Sequence, residues 1–255
     1  MYVRRGDHIG VARKMARSIS VKEELLSMIA AHYQRRGFPR DAVEHLKRRV
    51  GEKTVSDSIV FKGVYRLNKK MQNVLEYFRG CDGRARGKIT DADAIFAFSW
   101  GYRIKSCSDG GAIGRLPGRN NRQLGEIAVG LKRRLRVPLC AQFEIADAIE
   151  DSEDDRNLHP DYRTPTEDMG TSKAIEYFVG HQTVQRRHAF RSVVVVAHRH
   201  HLDRCLIILK EDFQIDGLPS PRSYDGYDRR EDQLRAMNPK ENIVSDFVSM
   251  AARAK

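Results

Sequence analysis

The first third of the chain carries apolar residues at helical spacing. Leu25 and Ile29 lie on one face of a helix that stops at Gly37, and later apolar positions keep the same period. Three helices are predicted: one ending before Gly37, one over about 39–50 and one over about 54–79. The stretch GCDGRARG at 80–87 is typical of a linker. We therefore predict a helical N-terminal region over residues 1–85.

The pattern changes after residue 92, where short apolar runs alternate with amphipathic helices. The three clearest runs have the length of buried strands: AIFAF at 94–98, VPLCAQFEI at 137–145 and SVVVV at 192–196. Strands that alternate with helices predict a parallel sheet covered on both faces, with right-handed crossovers. We predict a Rossmann-like three-layer α/β sandwich with a mostly parallel sheet over 86–255.

Three stretches between these elements lack periodicity and are predicted as loops. They are the glycine-rich segment 108–121, the acidic segment 150–156 and the tail 217–239. The glycine-rich segment has neither the G-x-G-x-x-G fingerprint nor a Walker lysine, so it is predicted to be a mobile flap and not a phosphate cradle. The chain closes with a predicted helix, KENIVSDFVSMAARA.

Charge narrows the range of partners. The 46 Lys and Arg residues outnumber the 34 Asp and Glu residues, which gives a net charge of +12. Such a surplus attracts polyanions and phosphorylated small molecules. No apolar run approaches the length of a membrane helix and the N-terminus lacks the pattern of a secretory signal, so a cytoplasmic protein is expected. The four cysteines are scattered without a C-x-x-C pair, which argues against a cysteine zinc site.

Chemistry-bearing residues follow several of the predicted strands. Ser99, Trp100 and Gly101 come directly after the first strand, Thr171 opens a helix, and the segment from His198 follows the four-valine strand. The carboxyl ends of parallel strands meet at one edge of a sheet, where open α/β sheets bind their ligands. Helix N-termini at that edge favour phosphate or carboxylate. The sequence therefore predicts a pocket for an anionic or nucleotide-like metabolite.

Individual roles follow from the side chains. Arg204 offers a planar fork to an anion, and His201 is the candidate catalytic residue because imidazole binds anions and transfers protons near neutral pH. Glu144, at the end of the second predicted strand, is suited to accept a hydrogen bond from a ribose hydroxyl or an amine. Asn121 is predicted to reach the ligand from the glycine-rich segment. Trp100 either stacks on a base or lies in the core.

The histidines after the four-valine strand leave a metal site open as an alternative. His198 and His200 form an H-x-H pair beside His201, as in several metal-dependent hydrolases. Leu202 occupies the position where that signature needs an aspartate, and a catalytic metal usually has three protein ligands.

A second alternative is a nucleic-acid-binding protein. The helices of residues 1–85 and the run KRRLR at 132–136 supply the basic residues that such a protein uses. Steep loss of retention on RNA with rising salt would distinguish this alternative.

The segment VVVAHRHHLDRC resembles the strand and turn of the YdcF-like family of domains of unknown function, the group that includes SanA and ElyC. His201, Leu202 and Arg204 match the family's histidine, apolar residue and arginine. Thr171, in GTSKAIEYF, matches the threonine of a family helix start. The resemblance covers about 92–255 and implies a Rossmann-like domain with an adenosyl-type or phosphorylated ligand.

The chain also departs from the family pattern. Ala197 and His198 stand where the family has a hydroxyl-bearing pair, and Gly170 stands where it has asparagine. His198 is nevertheless predicted to contact the ligand, together with Thr171 and Arg204.

Overall fold

The computed structural model describes residues 23–51, 87–106, 112–151, 158–166, 169–186, 190–222, 224–228, 230 and 238–253. The predicted helix over 54–79 and most of the acidic segment 150–156 lie outside these ranges. The described residues divide into two compact units. Residues 23–51 belong to the first together with 243–253, and the described residues from 87 to 242 form the second.

Seven α-helices, one short 3-10 helix (Ile89–Asp91) and seven strands are present in the described residues. The helices are α1 (residues 23–35), α2 (Arg40–Gly51), α3 (Arg119–Leu135), α4 (Phe143–Glu150), α5 (Thr171–Arg186), α6 (Arg199–Phe213) and α7 (Pro239–Arg253). The strands are β1 (Ala94–Ala97), β2 (Arg103–Ser106), β3 (Ala112–Leu116), β4 (Leu139–Ala141), β5 (Tyr162–Arg163), β6 (Ser192–Val196) and β7 (Asp216–Pro219).

Five strands form one parallel sheet in the order β5-β4-β1-β6-β7. The central strand β1 pairs with β4 on one side and β6 on the other, so that Phe96 lies between Cys140 and Val195. The chain moves outward from β1 in one direction through β4 and β5, and then in the other through β6 and β7. This reversal makes β1 the topological switch point of a Rossmann-like fold. The predicted fold class is confirmed.

The sheet is buried on both faces, which explains its continuous apolar strands. Ile95 and Ala97 of β1 share a core cluster with α3 and α4, whereas Ala94 and Phe96 share another with α5 and α6. The four valines of β6 divide between the same two clusters. The three-layer arrangement therefore follows from the alternation of side chains along buried strands.

Two of the predicted loops contain strands. Within the glycine-rich segment β3 pairs with β2 as an antiparallel ribbon, and α3 begins at Arg119, so Asn121 is helical. The predicted tail 217–239 opens with most of the edge strand β7. There Gly217 permits close approach of α6, because a Cβ at this position would lie 2.6 Å from Leu206 Cδ2. Glycine and proline resemble loop residues in a sequence but are tolerated in an edge strand.

The second predicted strand is shorter than expected. It spans Leu139–Ala141, and the last three residues of the predicted run, 143–145, lie in the first turn of α4. Glu144 is therefore in the first turn of a helix and not at the end of a strand. Among the described residues, no helix has both the length and the apolarity needed to cross a membrane.

Candidate functional site

A buried side-chain amide, that of Asn121, holds the turn after β1. The Oδ1 of Asn121 accepts a hydrogen bond from the backbone N–H of Trp100 at 2.7 Å, and its Nδ2 donates to the carbonyl of Gly101 at 2.8 Å. Gly101 has a φ of 75°, a left-handed conformation that favours glycine. The chain therefore leaves β1 in a defined turn that presents Ser99 and Gly101 at the carboxyl edge of the sheet.

A second amide joins three segments at the same edge. Gln142 directly follows β4, and its Oε1 accepts hydrogen bonds from the backbone N–H of Ser99 at 2.7 Å and from its hydroxyl at 3.1 Å. The Nε2 of Gln142 donates to the carbonyl of Met169, just before α5. Gln142 was not predicted from the sequence, although its position immediately after a buried strand was a usable signal.

The start of α5 meets the start of α6 through a hydroxyl and an imidazole. The Oγ1 of Thr171 lies 3.1 Å from the Nε2 of His201, which is 3% exposed. Thr171 is the first residue of α5, and the carbonyl of Gly170 accepts the first helical bond, from the backbone N–H of Ala174. The hydroxyl of Thr171 is hydrogen-bonded to the imidazole of His201. This separation is within the range over which a base takes a proton from a hydroxyl.

These segments enclose a small polar pocket of about 60 Å³. Six of the residues predicted from the sequence line it: Ser99, Gly101, Glu144, Thr171, His201 and Arg204. Tyr102, Gln142, Met169 and Gly170 complete the described lining. Its volume is about twice the share of one water molecule in the liquid. It therefore fits a phosphate or carboxylate group, whereas pockets for drug-sized ligands measure roughly 300–1,000 Å³.

The pocket carries charges of both signs. Arg204 lies one helical turn after His201 on α6, and both side chains line the pocket. Glu144, 4% exposed, enters from the first turn of α4. Lining residues lie in the first turn of each of the helices α4, α5 and α6. The N-terminal end of a helix dipole is positive.

Three predicted ligand contacts lie outside the pocket lining. The rings of Trp100 and His198 are buried and stack at a centroid distance of 4.5 Å with an interplanar angle of 8°. The Trp100 ring also lies 5.5 Å from that of His201, and Asn121 holds the turn that carries Gly101. Trp100, Asn121 and His198 therefore position residues that line the pocket, and their own contact with a ligand stays a prediction.

His198 is the N-cap of α6. Its Nδ1 accepts a hydrogen bond from the backbone N–H of His200 at 3.3 Å, and its Nε2 lies 3.0 Å from the carbonyl of Gly226, to which it donates. Burial lowers the pKa of His198 from 6.5 to about 4, because the charged imidazolium is poorly solvated there. His198 is therefore neutral at pH 7, with its proton on Nε2.

The three histidines of the metal hypothesis point to different partners. His198 bonds Gly226 and His201 bonds Thr171, as described above, and the Nδ1 of His200 lies 2.5 Å from the hydroxyl of Tyr227. Across the residues that the structure describes, no three His, Cys, Asp or Glu side chains are grouped so that they could hold a metal ion. The geometry gives no support to the metal-dependent hydrolase.

The basic run at 132–136 is partly engaged within the fold. The Nζ of Lys132 lies 2.9 Å from a carboxylate oxygen of Asp161 and donates to the carbonyl of His159. Arg134 is exposed and lines a surface groove of about 240 Å³ together with Arg222. No ligand class follows from these two arginines alone, and nucleic-acid binding stays a prediction.

The fold and the pocket define a Rossmann-like α/β protein with a polar, anion-sized site at the carboxyl edge of its sheet. Comparison with protein-family models, curated proteins and solved structures finds no match to the chain. The resemblance to the YdcF-like family accordingly stays a prediction.

Proposed function

We propose that the second unit binds a small metabolite through its phosphate or carboxylate group, in the pocket at the carboxyl edge of the parallel sheet. The observation that carries the proposal is the presence of Arg204, His201 and the Thr171 hydroxyl in one enclosed lining at the start of two helices. All of these groups can donate hydrogen bonds to an anion.

The fold supports this proposal through its topology. In doubly wound sheets the crevice outside the carboxyl ends, at the switch point, is the usual ligand site. Here the switch point is β1, and the segment that follows it contributes Ser99 and Gly101 to the lining. The positive ends of the helix dipoles add a field that favours an anion over a cation or a neutral group.

Size limits which part of the ligand enters. A volume of about 60 Å³ admits the anionic end of a metabolite. The bulk of an adenosyl-type or phosphorylated ligand would extend from the pocket mouth. The resemblance to the YdcF-like family rests partly on Thr171, His201 and Arg204. All three of these residues line this pocket. This coincidence supports a shared ligand-binding edge.

His201 is positioned to do more than attract the anion. Its Nε2 and the Thr171 hydroxyl form a hydrogen-bonded pair in which a proton can move from one to the other. If the site catalyses a reaction, we propose His201 as the proton acceptor and Thr171 as the hydroxyl it acts on.

Replacing Arg204 with alanine tests the proposed function. Charge-assisted hydrogen bonds contribute about 1.5–3 kcal/mol, so we expect the affinity for inorganic phosphate, measured by calorimetry, to fall about 10- to 100-fold. Arg199→Ala is the matched control, because Arg199 is on the same helix but exposed and 3.6 Å from Asp225. It should leave the affinity within about twofold, since exposed pairs contribute little.

Two results would overturn the proposal. One is phosphate binding that Arg204→Ala and Arg199→Ala weaken equally, which would indicate general surface charge. The other is the absence of a saturable response of the wild type to phosphate and to a panel of phosphorylated metabolites and nucleotides. Retention on RNA that is lost steeply with salt in both variants would favour the nucleic-acid alternative.

A further inference from the structure

A carboxylate is an unexpected component of a pocket for anions. Glu144 is 4% exposed and lines the same 60 Å³ as Arg204 and His201. It lies in the first turn of α4. Two elements therefore bring opposite charges to the pocket: α6 brings the cationic side and α4 the anionic side.

The carboxylate weakens the binding of a bare anion in the pocket without excluding it. Phosphate held by Arg204 and His201 would repel Glu144 at short range, and the repulsion is weakly screened because the pocket is largely enclosed. A ligand that carries a hydrogen-bond donor beside its anionic group would reverse the sign of this contact. Glu144 would then accept from the donor, and ligands without it would leave a buried carboxylate facing an anion.

We infer that Glu144 is the specificity residue of the pocket, and that its ligand is a phosphate or carboxylate whose neighbouring carbon atoms carry a hydroxyl or ammonium group. This inference rests on the proposed function, since it names the chemical group that stands beside the anionic group in the bound ligand. It excludes inorganic phosphate and simple alkyl phosphates as preferred ligands. Both kinds of ligand share an anionic group with an adjacent hydrogen-bond donor. Binding measurements distinguish a hydroxyl donor from an ammonium donor.

Three phosphates of almost equal size provide the test. Ethyl phosphate has no donor, 2-hydroxyethyl phosphate has a hydroxyl, and 2-aminoethyl phosphate has an ammonium group. Calorimetric titration of the wild type should show at least a tenfold preference for one or both donor-bearing esters over ethyl phosphate. The better of the two identifies the donor that Glu144 accepts from.

Glu144→Gln should change the affinity for ethyl phosphate and the affinity for the donor-bearing ester in opposite directions. It keeps the shape of the side chain and removes its charge, so ethyl phosphate should bind several-fold more tightly. The preference for the donor-bearing ester should fall to less than about threefold. Glu150→Gln is the matched control on α4, because Glu150 bonds Arg163 at the surface and lies outside the described lining. It should leave all three affinities unchanged.

The outcomes separate this inference from the proposed function. Arg204-dependent binding with no preference among the three esters would overturn the inference and leave the proposed function standing. Weaker binding of every ester in Glu144→Gln would also overturn it, because it would show a structural role. The wild-type series decides the matter even if the variant does not fold. If no ester binds in a way that depends on Arg204, both the inference about Glu144 and the proposed function are overturned.

Discussion

Replacing Asp246 with alanine is expected to lower the free energy of unfolding of the first compact unit, which contains residues 23–51 and 243–253, by about 3–5 kcal/mol. Asp246 accepts from the Nη1 of Arg36 at 2.5 Å and from the hydroxyl of Tyr33 at 3.0 Å. Both side chains of the ion pair are 4% exposed. Removing the carboxylate would deprive a buried guanidinium of this counter-charge, which costs far more than the pair itself contributes.

The pair also links distant parts of the chain. Arg36 and Asp246 are 210 residues apart, so the bond joins the end of α1 to α7 within one compact unit. The loss is best measured by denaturant unfolding followed by far-ultraviolet circular dichroism, because the only tryptophan belongs to the other unit.

Two controls accompany this measurement. Glu44→Ala removes an exposed ion pair with Lys47 in the same unit and should cost less than about 1 kcal/mol. The double replacement of Arg36 by Met and Asp246 by Leu should recover much of the stability, since apolar pairs can substitute for buried ion pairs. A loss below about 1 kcal/mol for Asp246→Ala would contradict the assigned burial.

Acid should destabilise the α/β unit through His198. In the unfolded chain its pKa is near 6.5, whereas burial holds it at about 4 in the folded chain. Between these values the unfolded chain binds the proton and the folded chain does not. Stability therefore falls as pH drops from about 6.5 to 4, by up to about 3 kcal/mol from this residue, and this contribution levels off below pH 4.

His198→Asn isolates the effect of this residue. Asparagine keeps an N-cap acceptor for α6 but cannot titrate, so the variant should lose less stability than the wild type between pH 7 and 5. Trp100 is buried and is the single tryptophan, so its emission reports unfolding of this unit directly. Equal pH slopes in the two proteins would show that His198 is protonated in the folded state or exposed.

The sequence predicted the layers of the fold because buried parallel strands leave a strong pattern. The valines of β6 and the AIFA run of β1 are apolar on every position, and amphipathic helices separate them. The edge strands were missed for physical reasons. β5 has only two residues, and β7 contains Gly217 and Pro219, which an edge strand tolerates and a sequence pattern presents as a loop.

The carboxyl-edge rule also brought together most of the pocket. Thr171, His201 and Arg204 were predicted to meet because Thr171 opens a helix and the other two follow the four-valine strand, and all three line one pocket. Stacking and capping were not predictable in the same way. The pairing of Trp100 with His198 depends on how the turn after β1 packs against the start of α6, and no local pattern encodes this contact.

A crystal structure of the protein soaked with inorganic phosphate at saturating concentration is the decisive experiment for the proposed anion site. We predict tetrahedral density within about 3.2 Å of the Arg204 guanidinium and of His201 or the Thr171 hydroxyl. A pocket closed by protein side chains at that concentration, or phosphate bound only at other surfaces, would contradict the account.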